Sequence, residues 1–151
     1  MTTQIQTVLL TGKTRTTPSL PDGGERVDIR LSTPGSAGNE ITFAAIAMHP
    51  TAEQLFAGAW SACYSGALGL VAKGRKVSLP ADLSVEIEVD LGKTGSAYLI
   101  QARIEVCMPG VAIDVVQDLA DAAHEVCPYS KAVHGNINVV TRAVETAHAV
   151  A

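Results

Sequence analysis

The hydrophobic pattern of the chain is dominated by one uncharged stretch, residues 55–72. Just before this stretch, Thr51 and Gln54 have the spacing of a capping box. Just after it, Lys73-Gly74 supplies a basic last turn and a glycine stop. The pattern predicts a helix of about six turns that is apolar on all sides and therefore buried. Cys63 lies near its middle.

A row of small residues follows one side of this predicted helix. Gly58, Ala62, Gly66 and Gly69 are three or four residues apart, so they lie on neighbouring turns. Because such a row lets another helix approach closely, we expect two copies of the helix to pack together in a homodimer.

Alternating apolar and polar residues predict strands at residues 5–10, 27–31, 83–91, 98–107 and 136–144. A turn at residues 92–95 joins the third and fourth strands in a hairpin, and Cys107 falls on the polar face of the fourth. Residues 13–25 are rich in Pro, Gly and Thr and predict a loop. The apolar run at residues 41–48 fits either an edge strand or a hydrophobic collar beside the central helix.

Two more helical segments are expected after the hairpin. The first covers residues 114–126, with Asp114 as N-cap and Gln117 at the box position. Pro128 is suited to open a short second segment, which Gly135 can close. The order of elements predicts a single α+β domain over residues 1–151, with antiparallel hairpins and two helices covering a sheet.

Composition excludes some classes of function. The chain has 151 residues, 47% of them hydrophobic, and a net charge of −4, which argues against a nucleic-acid surface. Residues 55–72 are long enough to span a membrane, but their glycines and polar side chains make them weakly hydrophobic, so we expect no membrane association. With no apolar signal segment in the first twenty residues, the three cysteines predict reduced thiols and a cytoplasmic protein.

Cysteine is the residue type that carries most chemical information here. Burial alone raises the pKa of a thiol, so Cys63 can be simply a small residue of the core. A reactive Cys63 requires a nearby cation that favours the thiolate. Arg15, Lys73 and the histidines are the candidates.

Zinc binding is a second possible use of these residues. His124 and Cys127 in a His-x-x-Cys arrangement, together with His134, offer ligands of suitable type. No second ligand pair accompanies them, so we expect no bound metal. The sequence also has no nucleophile elbow, phosphate-binding glycine loop or dinucleotide fingerprint.

Two cysteine-containing segments resemble the signatures of the organic hydroperoxide resistance (Ohr) proteins of the Ohr/OsmC family. The first is Glu53-Gln54-Leu55-Phe56-Ala57 leading to Ser61-Ala62-Cys63, and the second covers residues 122–130 and continues to residue 139. Cys63 and Cys127 are 64 residues apart, as in that family. The similarity extends from about residue 27 to residue 144.

The resemblance implies an OsmC-like fold, with antiparallel sheets around long central helices in an intimate dimer. It also implies a thiol peroxidase that reduces organic, fatty-acid-type hydroperoxides. Cys63 is then the peroxidatic cysteine and Cys127 the resolving cysteine. The implied reductant is a dihydrolipoyl group on a partner protein, with no cofactor bound to the chain.

The family also uses an arginine of the N-terminal loop and the glutamate of the first motif, here Glu53. The family usually has Gly-Gly-Arg where this chain has Gly12-Lys13-Thr14-Arg15. We assign Arg15 as the catalytic arginine, with Arg26 and Lys13 as alternatives. A guanidinium beside the sulfur favours the thiolate and can donate to the leaving oxygen.

Phe56, Trp60 and Tyr129 are the predicted substrate-binding residues, because apolar walls admit organic peroxides in preference to hydrogen peroxide. Cys107 has no role in this scheme, and His124 and His134 flank the resolving cysteine. Two alternatives stay open. One is an OsmC-type peroxidase of different peroxide preference, and the other is a non-enzymatic module that binds hydrophobic ligands or senses redox state.

Helix geometry adds one constraint. Glu53 and Cys63 are ten residues apart, which is about 15 Å along a straight helix, so a glutamate side chain cannot bridge them. Either the arginine spans this distance or the glutamate comes from a second subunit.

Overall fold

A computed structural model of the chain describes residues 4–18, 27–32 and 51–148. Its elements confirm the predicted α+β class. They are, in order, β1 (Thr7–Pro18), β2 (Val27–Ser32), α1 (Ala52–Gly74), β3 (Ser84–Thr94), β4 (Ala97–Cys107), α2 (Ile113–Val126), α3 (Pro128–Val133) and β5 (Asn138–Val144). Residues 41–48, for which two structures were expected, lie outside the described residues.

The strands form one five-stranded sheet in the order β2-β1-β3-β4-β5. Neighbouring strands are antiparallel except β4 and β5, which are parallel. A parallel pair needs a long crossover connection, and α2 and α3 provide it. The β3–β4 hairpin turns at residues 95–96, where Gly95 has a φ of 60°. The turn therefore lies later than predicted, since residues 92–94 still pair with residues 97–99.

β1 is much longer than the sequence pattern predicts. The predicted loop beginning at Lys13 is wrong as far as residue 18, because the strand continues to Pro18. Its continuation pairs with β3, and the ammonium of Lys13 lies 2.6 Å from a carboxylate oxygen of Glu86. Arg15 pairs with the same carboxylate. These cross-strand ion pairs link residues more than seventy positions apart, which local composition does not reveal.

The two faces of the sheet have different chemistry. Apolar residues of β3 and β4 face the helices and form the core, including Val85, Ile87, Val89, Ala102, Ile104 and Val106. On the opposite face Asp90 is only 1% exposed, and Arg103 donates to both of its carboxylate oxygens. Burial alone raises the pKa of Asp90, but these hydrogen bonds outweigh burial and leave its pKa below the usual range. The carboxylate is therefore ionised.

The central helix α1 is confirmed, but the described residues cover only one of its sides. Trp60, Tyr64 and Leu68 are among its buried residues. On the other side Leu55 and Leu70 are 56% and 64% exposed. Among residues 4–18, 27–32 and 51–148, the prediction of burial on all sides is therefore not met. By length and composition α1 could cross a membrane, although 39% of its apolar 18-residue segment is buried within the fold.

The first turns of α1 and α2 test the two helix caps that the sequence predicts. The predicted capping box of α1 is confirmed: Gln54 N donates to Thr51 Oγ1 at 3.1 Å, and Thr51 N donates to Gln54 Oε1 at 2.9 Å. The predicted N-cap of α2 is wrong, because Ala112 occupies that position without a side-chain bond. Gln117 instead accepts a hydrogen bond from the backbone N–H of Ala143 in β5.

We expect Thr51→Ala to lower the free energy of unfolding by about 1 kcal/mol, because it leaves the first backbone N–H groups of α1 without a side-chain partner. Urea denaturation at one fixed protein concentration measures the change. Ser78→Ala is the matched control, since Ser78 is exposed outside any helix or strand, and it should change stability by less than about 0.5 kcal/mol. An equal loss in the two variants would contradict the assigned cap.

Candidate functional site

The structure brings Cys63 and Cys127 into direct contact. Cys63 lies in the middle of α1, Cys127 lies between α2 and α3, and their sulfur atoms are 3.3 Å apart. Both thiols are free. A disulfide bond is about 2.05 Å long, so the sulfurs need to approach by only a little more than about 1 Å to form one.

Cys127 is held at a corner of the backbone. Its N–H donates to the carbonyl of Ala123 at the end of α2, and its carbonyl accepts from Lys131 in α3. A ψ of 122° breaks the helix at this residue, and Pro128 then begins α3, as the sequence predicts. The side chain of Cys127 is fully buried. The corner therefore fixes its sulfur against α1.

The surroundings of Cys63 disfavour its thiolate. Burial is the main cause that raises its pKa, and the neighbouring Cys127 thiol raises it further. The backbone N–H of Tyr129, in the first turn of α3, donates to the sulfur and acts in the opposite direction. Within the described ranges, no cationic side chain contributes to lowering the pKa. The described residues thus provide the two sulfurs but not a positive charge that would favour the thiolate.

The structure does not place Arg15 beside Cys63. Thr14 faces the core, with its hydroxyl 3.5 Å from the carbonyl of Ala57 in α1, so the next side chain along the strand points to the other face. There Arg15 donates through Nε to Glu86 Oε1 at 2.7 Å, and Nη2 donates to the same oxygen. Lys13 pairs with the same glutamate, and Arg26 lies outside the described residues.

Glu53 and Lys73 are also separate from the cysteines. Since α1 is continuous from Ala52 to Gly74, each lies about 15 Å along the helix from Cys63, in opposite directions. Glu53 is partly exposed in the first turn, and in the part of the chain that the structure describes no cation pairs with it. The expected geometric constraint on Glu53 therefore holds for a single chain.

Two histidines lie near Cys127. The rings of His124 and His134 meet edge to face with centroids 4.7 Å apart. Burial chiefly lowers the pKa of His124, and His134 lowers it further. Because His124 is therefore neutral near pH 7, it is a poor source of the positive charge that a Cys63 thiolate requires.

The described residues do not group His124, Cys127 and His134 as ligands of one ion. The one cluster with suitable spacing in those ranges consists of Glu86, Glu105 and His148. It lies on the outer face of the sheet, where the ammonium of Lys13 already pairs with Glu86. The arrangement at the cysteines is that of a dithiol.

The predicted substrate-binding residues differ in exposure. Phe56, two turns before Cys63 on α1, is 37% exposed, and Tyr129, whose backbone N–H donates to Cys63, is 51% exposed. Trp60 is only 1% exposed, and its ring meets that of Phe56 edge to face at 5.7 Å. Its indole N–H donates to Ser130 Oγ at 3.0 Å. In this structure Trp60 joins α1 to α3 and offers almost no surface to a ligand.

Sequence reasoning missed two contributions to the site, the hydroxyl of Ser130 and the backbone N–H of Tyr129. Both lie in the first turn of α3, directly after Cys127. Pro128 was the sequence signal for the N–H group. A helix that begins there leaves its first backbone N–H groups unpaired close to Cys127.

Cys107 is separate from the pair. It lies at the end of β4 on the outer face of the sheet, as predicted, and is 2% exposed. Its thiol contacts the carbonyl of Glu145 at 3.5 Å. Burial raises its pKa, so it is a protonated, unreactive thiol.

Comparison with known proteins shows what the chain is similar to. The OsmC-like protein family matches residues 45–142. An organic hydroperoxide resistance protein of Xanthomonas axonopodis pv. citri is 38% identical over 116 residues, which cover 75% of this chain and 76% of that protein. The organic hydroperoxide resistance protein OhrA of Bacillus subtilis is 34% identical over 93 residues, covering 62% of this chain and 66% of OhrA.

Solved structures give the same result for the fold. The crystal structure of OhrB from Bacillus subtilis matches with a TM-score of 0.60 and 31% identity, over 81% of this chain and 93% of OhrB. An organic hydroperoxide resistance protein from Elizabethkingia anophelis matches with a TM-score of 0.58 and 28% identity, over 94% of this chain and all of that one. The predicted OsmC-like fold is confirmed.

We expect one equivalent of diamide to convert the folded, reduced protein to a single intramolecular disulfide between Cys63 and Cys127. The 3.3 Å contact places these sulfurs together, whereas Cys107 is covered on another face. Peptide mapping by mass spectrometry identifies the pair. Cys107→Ser should give the same product in the same yield, and a disulfide that includes Cys107 would contradict the geometry.

Proposed function

Because the chain belongs to the Ohr/OsmC family, we propose that it is a thiol peroxidase that reduces organic hydroperoxides to alcohols. The observation that carries this proposal is the 3.3 Å contact between the sulfurs of Cys63 and Cys127. The peroxide can oxidise the sulfur of Cys63 to a sulfenic acid, and the sulfur of Cys127 is close enough to react with that acid.

In the first step the Cys63 thiolate attacks the terminal oxygen of ROOH. A sulfur–oxygen bond forms as the oxygen–oxygen bond breaks, and the departing alkoxide takes up a proton to become the alcohol. The sulfur is oxidised to sulfenic acid, while the peroxide oxygens are reduced. Cys63 is the attacking residue because it is partly accessible, whereas Cys127 is fully buried.

In the second step the Cys127 sulfur attacks the sulfur of the sulfenic acid, and water leaves as the disulfide forms. An external dithiol then reduces the disulfide through a mixed disulfide and becomes a disulfide itself. We propose a dihydrolipoyl group on a partner protein as this dithiol, because a flexible apolar arm suits the apolar surroundings of Cys63. The free thiols suit a reducing compartment such as the cytoplasm.

The surface next to Cys63 favours organic peroxides. Phe56, two turns before Cys63 on the same side of α1, and Tyr129, in the first turn of α3, are exposed aromatic residues. This surface can bury the hydrocarbon part of a fatty-acid-type hydroperoxide. Hydrogen peroxide has no such part and gains nothing from it.

We further propose that the active form is a homodimer in which the exposed sides of two α1 helices pack together. That side carries the predicted row of small residues, and a Cβ built at Gly66 or Gly69 meets no atom within 4 Å. Leu55 and Leu70, at the two ends of the row, are more than half exposed. A second copy would bury this apolar side and bring new residues close to Cys63.

A cation is the part of the active site that the described residues of one chain do not supply. We propose that an arginine of the first thirty residues provides it, and we assign Arg15, with Arg26 as the alternative. Because Arg15 pairs with Glu86 on the outer face of the sheet in this structure, the assignment requires this ion pair to open and this part of β1 to rearrange when the dimer forms, so that the guanidinium reaches the face that carries Cys63. Glu53, partly exposed at the start of α1, is the proposed carboxylate partner of the guanidinium.

We expect Cys63→Ser to reduce turnover of cumene hydroperoxide to the uncatalysed background, because a serine hydroxyl does not replace the thiolate. Cys127→Ser should complete one turnover and then stop, because the sulfenic acid has no resolving thiol. A coupled assay with dihydrolipoamide measures the steady state, and dimedone trapping detects the sulfenic acid.

Cys107→Ser is the control and should retain turnover within about twofold, since that thiol lies on the other side of the sheet. Substrate comparison separates the alternatives: equal efficiency with hydrogen peroxide would favour an OsmC-type peroxidase of different preference. Absence of turnover in the wild type would contradict the peroxidase proposal and favour a non-enzymatic module that binds hydrophobic ligands or senses redox state.

We expect Gly66→Leu to convert a dimer into a monomer and to raise the pKa of Cys63, measured in a Cys127→Ser background. The new side chain enters open space in one chain but occupies the volume that a second α1 needs. Sedimentation velocity gives the mass. The rate of iodoacetamide alkylation against pH gives the pKa, because only the thiolate reacts.

Gly74→Leu is the matched control, since it adds the same side chain to open space on the same helix but outside the row. Arg15→Ala should raise the pKa of Cys63 and leave the oligomeric state, measured by sedimentation velocity, unchanged. If Arg26→Ala alone raises the pKa, Arg26 is the thiolate partner. A wild type that sediments as a fully active monomer would refute the dimer.

A further inference from the structure

We propose that Trp60 and Ser130 are positioning residues whose hydrogen bond keeps the resolving cysteine, Cys127, within bonding range of Cys63. The bond fixes the corner between α2 and α3 against α1, so that the sulfur of Cys127 stays in contact with that of Cys63. The inference rests on the proposed function, because it assigns the control of the second step to these two side chains.

The bond lies beside the two sulfurs. Trp60 is one turn before Cys63 on α1, and Ser130 is three residues after Cys127, in the first turn of α3. The indole Nε1 donates to Ser130 Oγ at 3.0 Å. Both side chains are buried, at 1% and 0% exposure, so water does not compete for the bond.

The short helix α3 depends on such contacts for its position. It has six residues, and a helix of that length is not stable without tertiary packing. Its other described anchor is Val133, at the far end, which joins the core. At the end next to Cys127, the indole of Trp60 donates to Ser130, and the N–H of Tyr129 donates to the sulfur of Cys63.

A different hydrogen bond provides the comparison. Tyr64 donates from its hydroxyl to the carbonyl of Ala120 at 2.6 Å. Tyr64 is next to Cys63 on α1 and is as deeply buried as Trp60. This bond ties α1 to α2, about two turns before Cys127, whereas the Trp60 bond ties α1 to α3. Loss of the Tyr64 bond should loosen the core without releasing the corner.

Release of the corner has a definite chemical consequence. If Cys127 leaves contact, the sulfenic acid on Cys63 lives longer and meets a second hydroperoxide. The sulfur then takes up another oxygen and becomes sulfinic acid, while that peroxide is reduced to the alcohol. The Tyr129 N–H that donates to Cys63 belongs to the same turn of α3, so it moves away as well.

The experiment uses Trp60→Phe, Ser130→Ala and the double variant, with Tyr64→Phe as the matched control. We expect the fraction of Cys63 found as sulfinic acid after a fixed number of turnovers to rise about three- to tenfold in the first three proteins, the range of one net hydrogen bond. The double variant should resemble the single variants, because all three lack the same bond. Intact-mass and peptide spectrometry measure the fraction.

A second measurement needs no peroxide. The equilibrium between the Cys63–Cys127 disulfide and dithiothreitol should shift toward the dithiol by a similar factor in Trp60→Phe and Ser130→Ala, and not in Tyr64→Phe. If the wild type has no peroxidase turnover but this shift is present, the proposed function fails and the positioning role stands. If neither measurement separates these variants from Tyr64→Phe, the positioning role is refuted.

Discussion

The structure depends on one contact between segments that are distant in the sequence, that of α1 with the corner between α2 and α3. This contact brings together two sulfurs 64 residues apart. It consists of the packing of Trp60 and Tyr64 against α2 and α3, with one hydrogen bond from each side chain. The proposed chemistry of the site depends on this contact, since a resolving thiol is useful only within bonding range of the thiol that is oxidised.

The same contact creates an electrostatic difficulty. Packing that buries Cys63 also raises its pKa. The packing that would hold Cys127 close to a Cys63 sulfenic acid therefore disfavours the Cys63 thiolate from which that acid would form. The Tyr129 N–H offsets part of this effect, and a cation is needed for the rest. In the described chain the basic residues Lys13 and Arg15 serve the sheet instead, where they neutralise the buried Glu86. We propose that the missing charge is supplied when a second copy packs against α1.

The proposed dimer would also give a reason for the uncharged character of α1. A helix that packs on the sheet with one side needs polar residues on the other side only if that side meets water. Here the other side carries Leu55, Leu70 and the row of small residues. In the proposed dimer this side would be buried as well, and the burial on all sides that the sequence pattern predicts would then be met.

Local signals in the sequence determined the position of α1, its capping box, the start of α3 at Pro128, the hairpin and the α+β class. Each depends on residues within a few positions of one another, where the chemistry of caps, turns and alternation acts. The resemblance to a known family identified the two cysteines. Tertiary structure alone decided that β1 continues through Arg15, that Glu86 binds this arginine, and that Trp60 joins Ser130 rather than lining an open surface. These contacts connect residues about seventy positions apart, and their free energy comes from burial and cross-strand pairing that no local pattern encodes.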